Sequence, residues 1–332
     1  MKFSKVLILT TSLALSGCSS FGAKLNEFFD KNDNEVAALK AVATAGAAAS
    51  QSEDDQGKAG ADALKREVAS SITNSVQTRL KTLAPAWDIE FTAGENAKPE
   101  VEVSTVRPID GLTVDRTTTF WQGSLLNYNG GNITTLNLGL GQRYLSKDES
   151  LLAGINLFYD HEFPKNHQRA SLGAELKSAA FELSANYYKA ISKWKNGNNN
   201  QKERALNGYD LEIGGQIPFI PSAKVFLKQF KWDALQNAAD LKGKAYSLEL
   251  DHLLPGGFKL TAGRRDFDTG RDEDFAKLSY QIKIGEEQND RQSKFFSNRM
   301  FSDASVANRR LEKVRRTNKI IKQTAGFTVS FR

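Results

Sequence analysis

The sequence predicts an all-β protein: a twelve-stranded antiparallel transmembrane β-barrel, with an N-terminal Ala-rich helical segment and a basic C-terminal tail. Three patterns point there. From about Trp87 onward, segments of roughly ten residues alternate apolar and polar, which is the strand period. Many segments run roughly 10–13 residues, longer than soluble strands usually are and enough for a tilted span of ~9–11. The polar parity is rich in Gly, Asn, Ser and acids, as a wet lumen requires, and only a closed barrel pairs every strand edge inside lipid.

Composition sets the outer limits. The 332 residues are 40% hydrophobic, 25% charged and 10% aromatic. After the N-terminus no run of ~18–20 apolar residues occurs, so helical spans are excluded. The 20 Phe argue against wholesale disorder. One Cys excludes a disulfide framework and a cysteine-rich zinc site. The net charge of +6 leaves nucleic acid, an anionic membrane surface or an unevenly charged tail open.

Residues 1–17 read as an export signal of lipoprotein type. Lys2 and Lys5 precede a short apolar stretch, Val6 to Leu15, too brief to span. It ends in Leu15-Ser16-Gly17-Cys18, which resembles the bacterial lipoprotein signal and marks Cys18 for lipidation. An ordinary signal peptide with an incidental Cys is the alternative. Residues 18–87 read as a periplasmic tether or helical segment. Leu64, Val68, Ile72 and Val76 recur every four residues in an Ala-rich context, one stripe of a helix. For residues 19–60 a flexible tether is the other reading.

The barrel is placed at 88–285. Its strands are expected near 88–94, 100–107, 117–128, 133–145, 151–163, 168–177, 181–193, 208–218, 223–234, 242–253, 258–268 and 274–285. Leu136, Leu138, Leu140 and Tyr144 alternate with Asn137, Gly139, Gly141 and Arg143, and the later segments repeat the pattern. In 223–234, Phe226 and Phe230 blur the parity. Aromatics gather near strand ends: Tyr128, Tyr144, Tyr159, Tyr187, Trp194, Phe219 and Trp232, where rings suit the headgroup level. Connections at Leu145–Ser150, Ser178–Ala180, Pro218–Ser222 and Leu254–Gly257 are short. Lys193–Asn207 is long and polar and falls on the opposite side, as outer-membrane barrels require. A soluble sandwich also alternates, and stays as the alternative.

These residues resemble the β-domain of the intimin/invasin family, the inverse autotransporters. The densest match is Thr135 to Trp194, with Asn137-Leu138-Gly139-Leu140-Gly141-Gln142-Arg143-Tyr144, Leu157-Phe158-Tyr159-Asp160 and Arg169-Ala170-Ser171-Leu172-Gly173. Leu206-Asn207-Gly208-Tyr209-Asp210 and Arg315-Arg316-Thr317-Asn318-Lys319-Ile320-Ile321 add to it. The resemblance implies an outer-membrane barrel whose following chain runs through the lumen and displays adhesive repeats outside. It also implies roles in surface display, cell adhesion and virulence. The chain departs from that pattern. No peptidoglycan-binding module is recognisable, and the signal looks lipoprotein-like. About 47 residues follow Gly285, fewer than one ~100-residue immunoglobulin domain, so the passenger is expected to be lacking.

Residues 286–332 form a basic lumen or linker segment. Arg291, Lys294, Arg299, Arg309, Arg310, Lys313, Arg315, Arg316, Lys319 and Lys322 face few acids. The inward parity of the barrel carries Asp160, Glu175, Glu182, Asp210, Glu212, Glu249 and Asp251. The expectation is a tail lying in an acidic lumen as plug or strut, against a solvated basic helix or contact with lipopolysaccharide. Phe327, Val329 and Phe331 alternate with Thr328 and Ser330, so the end can form one more strand.

No catalytic, cofactor or metal set is expected. The His-x-Ser arrangement that likeness to a barrel phospholipase would require is missing at His161, His167 and His252. The expected function is a non-enzymatic outer-membrane barrel for surface display or adhesion; the alternative is a periplasmic or surface lipoprotein with a soluble β-rich binding domain. Expected partners are outer-membrane lipid and lipopolysaccharide, the barrel-assembly machinery, and a separately encoded adhesin or host surface ligand. Nucleic acid is not expected.

Overall fold

The computed structural model describes residues 86–330, apart from 95–96, 110, 114, 198–200, 236–237, 255–257, 271, 284–295, 302–304 and 326–327. The signal, Cys18 and the Ala-rich segment lie outside the described residues. In chain order the strands are β1 (Ala86–Gly94), β2 (Ala97–Pro108), β3 (Thr117–Tyr128), β4 (Ile133–Leu145), β5 (Leu151–Phe163), β6 (His167–Ser178) and β7 (Glu182–Ala190). A short hairpin follows, β8 (Lys195–Asn196) and β9 (Lys202–Ala205). Then come β10 (Gly208–Ile217), β11 (Ile220–Trp232), β12 (Leu241–Leu254), β13 (Phe258–Phe267) and β14 (Glu273–Lys283), and finally β15 (Lys322–Thr324) and β16 (Thr328–Ser330).

Twelve of these, β1–β7 and β10–β14, close one antiparallel barrel. Closure is made by β1 against β14, from Ala86↔Lys283 to Gly94↔Phe275. A closed wall leaves no strand edge to satisfy inside lipid. The apolar parity points outward: Leu138, Leu140, Ile155, Leu157, Leu172, Leu211 and Ile213 are exposed on the outer surface. Each such side chain gains about 2 kcal/mol on leaving water for hydrocarbon, so a membrane is the solvent that this face fits. The sandwich alternative fails here, because the twelve strands close on themselves and, among the described residues, no second sheet packs on the outward face.

The polar parity points inward, and its glycines do a specific job. Among the glycines that stand directly across the ladder from an aromatic residue are Gly139 opposite Phe158, Gly141 opposite Phe120, Gly208 opposite Trp232, Gly214 opposite Phe226, Gly243 opposite Phe230 and Gly263 opposite Phe275. In each pair a Cβ on the glycine would collide with the ring. The ring therefore lies flat along the inner wall over its glycine partner, which pins register and covers backbone. Gly139 and Gly141, two apart on one strand, thus make room for Phe158 and Phe120.

Two aromatics expected at the headgroup level are inside. Tyr128 is buried and donates to Glu162 Oε2 at 2.5 Å. Trp232 is buried against Tyr188, with ring centroids 5.0 Å apart. Both sit on inward parity, so nearness to a strand end was not enough to send them to lipid. Tyr144, Tyr159, Tyr187 and Phe219 are exposed, in keeping with the expected girdle.

The connections also differ in order. At the Ser146–Ser150 turn the Asp148 carboxylate accepts from Ser146 Oγ at 2.6 Å and Ser150 Oγ at 2.7 Å. Those donors hold its pKa at about 2. The long connection expected at Lys193–Asn207 is not a plain loop. It folds into the β8–β9 hairpin and joins β15 and β16 in a four-stranded sheet of order β16-β15-β9-β8. The strand expected at the C-terminal end is β16, and it belongs to this second sheet.

Candidate functional site: a threaded lumen

The tail enters the bore at one rim and leaves at the other. At the first rim, Phe219 in the β10–β11 turn donates its N–H to Met300 O and accepts from Ser297 N–H, both at 2.9 Å. In the β4–β5 turn, Glu149 O accepts from Val306 N–H at 2.8 Å. At the far rim Leu206 N–H donates to Ile321 O at 2.9 Å and Ala325 N–H to Lys202 O at 2.7 Å. Between them residues 305–325 hold no α-helix: a 3₁₀ turn at Ala307–Leu311 gives way to irregular backbone, with bends at Arg316 and Lys319, and then to β15. A basic helix is therefore not the resting form of this segment.

Three apolar side chains fasten the thread. Val306 packs with Leu145 and Leu152 at the first rim. Val314 packs with Val106, Phe120 and Phe158 in mid-bore. Ile321 packs with Tyr188, Leu206, Phe230, Trp232 and Leu241 at the far rim. Burying each contributes about 2 kcal/mol.

Charges fill the intervals. Arg309 meets Glu182 at 2.6 Å, and Lys177 meets Glu312 at 3.0 Å. Lys313 reaches Glu102 at 3.0 Å and Glu90 at 3.2 Å. Arg315 pairs with Glu212, and with Glu249 at 2.8 Å, while its guanidinium lies 3.7 Å over the Phe226 ring. Arg316 pairs with Asp160 at 2.7 Å and lies 4.2 Å over Phe158. Lys319 pairs with Glu100, and Lys322 with Glu162 at 2.7 Å. Burying charges this deeply is tolerable only because each has a partner.

The inward acids read from the sequence are thus mostly brought to the tail: Asp160, Glu182, Glu212 and Glu249 pair with tail cations. Asp210 instead accepts from Thr317 Oγ1 at 2.8 Å and from Tyr188 Oη at 2.7 Å. Glu175 pairs within the wall, with Arg143 at 2.6 Å. The sequence reading missed Glu90, Glu100, Glu102 and Glu162 as tail partners, although all four are acids on predicted strands. Arg291 and Lys294 lie outside the described residues.

At the far rim, Glu203 on β9 faces the His167 ring at 3.7 Å and Lys322 at 3.3 Å. The His167 ring and the Lys322 ammonium lower its pKa to about 2, against partial burial. His161 lies 3.2 Å from Tyr159 Oη and 3.1 Å from Asn166 Oδ1. Among the described residues no group of three His, Cys, Asp or Glu is placed to hold a metal ion.

A family model for the inverse autotransporter β-domain matches residues 41–318. The chain belongs to this family. Relatives of this inverse autotransporter β-domain include an attaching and effacing protein homolog of Escherichia coli K12, 33% identical over 118 residues, covering 34% of this chain and 39% of that protein. Intimin of Citrobacter freundii is 35% identical over 113 residues, 32% of this chain and 12% of intimin. The match therefore spans well under half the length of these relatives. A solved chain from work on in-meso crystallization of membrane proteins superposes with a TM-score of 0.61 at 17% identity, covering 72% of this chain and 98% of that one. That likeness concerns the fold. Family and fold place the barrel in the bacterial outer membrane.

Proposed function

We propose that this barrel carries the polypeptide that follows it across the outer membrane and holds it at the surface, for display or cell adhesion. The observation that supports this best is the thread: residues 305–325 pass through the lumen from one rim to the other, fastened at both. The names of its relatives, intimin and an inverse autotransporter adhesin, fit that reading. The adhesive element is either joined to this chain or encoded separately. Its ligand is a host surface or neighbouring cell. Outer-membrane lipid, lipopolysaccharide and the barrel-assembly machinery complete the partners, and lipid on Cys18 would add a second anchor at the N-terminal side. The role is structural and calls for no catalysis.

An epitope appended after Arg332 tests the reading. It is expected to bind antibody on intact cells, with the heat-modifiable gel migration of a folded barrel. An epitope reached only after permeabilisation would reject it.

A further inference from the structure

Two arginines of the wall are built alike. Arg143 on β4 lies near the rim where the thread begins, and Arg169 on β6 near the rim where it ends. Both are 0% exposed. Each guanidinium lies over an aromatic ring, Arg143 4.4 Å from the centre of Phe120 and Arg169 4.4 Å from that of Tyr188. Each donates its Nε to a wall carboxylate, Arg143 to Glu175 at 2.6 Å and Arg169 to Asp160 at 2.8 Å. Nη1 of Arg143 and both Nη atoms of Arg169 face the thread and bind backbone, while Arg143 Nη2 is buried with no hydrogen-bond partner among the described residues. Arg143 Nη1 donates to Arg310 O at 2.9 Å and Glu312 O at 2.7 Å. Arg169 donates through Nη2 to Thr317 O at 2.7 Å and through Nη1 to Lys319 O at 3.0 Å.

Both forks take the carbonyls of residues i and i+2. Arg310 and Glu312 straddle the end of the 3₁₀ turn, and Thr317 and Lys319 lie in the irregular run that follows, so neither pair of carbonyls is spent in a helix or sheet ladder. Every residue type has a carbonyl, proline included. Stacking and the carboxylate fix each guanidinium before any chain arrives, so little order is lost on binding.

We propose that Arg143 and Arg169 are two ends of a backbone-binding track, a site for polypeptide backbone of any sequence. Side-chain pairs such as Arg316–Asp160 set the parked register. The two forks hold the backbone of whatever segment lies in the bore. This inference rests on the display reading and specifies its binding site.

The test uses the full chain in lipid, with a 13C carbonyl label at Arg310 or at Thr317. Arg143→Lys and Arg169→Lys keep the charge beside Glu175 and Asp160 but lose the fork. The labelled amide I band is expected to lose its hydrogen-bonded red shift at Arg310 in R143K and at Thr317 in R169K. Arg310→Ala and Thr317→Ala leave the carbonyls in place and are expected to keep it. In cells, the half-time for an epitope after Arg332 to reach the surface is expected to lengthen severalfold in the double Lys variant, with normal barrel migration on gels. An unmoved band in the Lys variants, a band lost in the Ala variants, or an unchanged half-time would overturn the track. If the double variant does not assemble, the infrared bands of the single variants decide. If the epitope never surfaces in the unsubstituted chain, the display reading fails, and the infrared result still judges the forks.

Discussion

On the β4–β6 side of the bore, Arg143, Arg169, Asp160 and Glu175 are sealed beneath the thread, with side chains at most 1% exposed and ion pairs of 2.6–2.8 Å. Across the bore on β13 and β14, Lys259 and Lys277 keep 41% and 34% of their side chains exposed, and their acids stand at 3.9 and 3.3 Å. The same parity of the same wall therefore carries two kinds of charge. Under the thread, water is excluded and a charge must be partnered. Lys259 and Lys277 stay in water, and the acids they approach, Glu249 and Glu90, are taken by Arg315 and Lys313 of the thread. The thread makes the distinction by claiming the acids and leaving these two lysines hydrated.

The contrast is sharpest at Asp160, which Arg316 and Arg169 share. Arg316→Met is expected to weaken docking of the thread by about 3 kcal/mol, because it leaves a buried carboxylate short of a partner. The readout is single-channel conductance in planar bilayers, which should rise as the thread leaves. An unchanged conductance would deny that the thread fills the bore. Gly139→Val tests the wall beneath the thread. Its side chain must displace the Phe158 ring, at about 2 kcal/mol of barrel stability. Adding Phe158→Ala should recover part of the loss, so the two changes should be non-additive in urea unfolding followed by Trp fluorescence. On the hydrated side, Lys277→Gln is expected to change the same urea midpoint by less than about 0.5 kcal/mol. A Lys277 effect as large as that of Arg316 would erase the distinction between the two sides.

Much of the wall was legible in advance. The strands β3, β4 and β5 lie where the alternation placed them, at 117–128, 133–145 and 151–163. Alternation works there because one face meets hydrocarbon and the other water, and a one-residue slip would invert both. The blurred parity in 223–234 also has a cause. Phe226 and Phe230 face inward, opposite Gly214 and Gly243, so apolar residues stand on the polar face. The same exception misled the reading of Tyr128 and Trp232. An inward aromatic could have been suspected from a glycine on the partner strand, but only once register was known.

By itself, then, the sequence determined a twelve-stranded wall, its outward apolar face, and the separation of an acidic lumen from a basic tail. Local periodicity and composition suffice for these, because each residue answers only to the solvent on its own side. The tertiary structure alone decided which charges meet. Arg316 is 156 positions from Asp160, and Arg169 is 150 from Lys319. Only closure of β1 on β14 and passage of the tail through the ring bring them together. Coulomb attraction names the sign of a partner, while geometry and desolvation choose the residue.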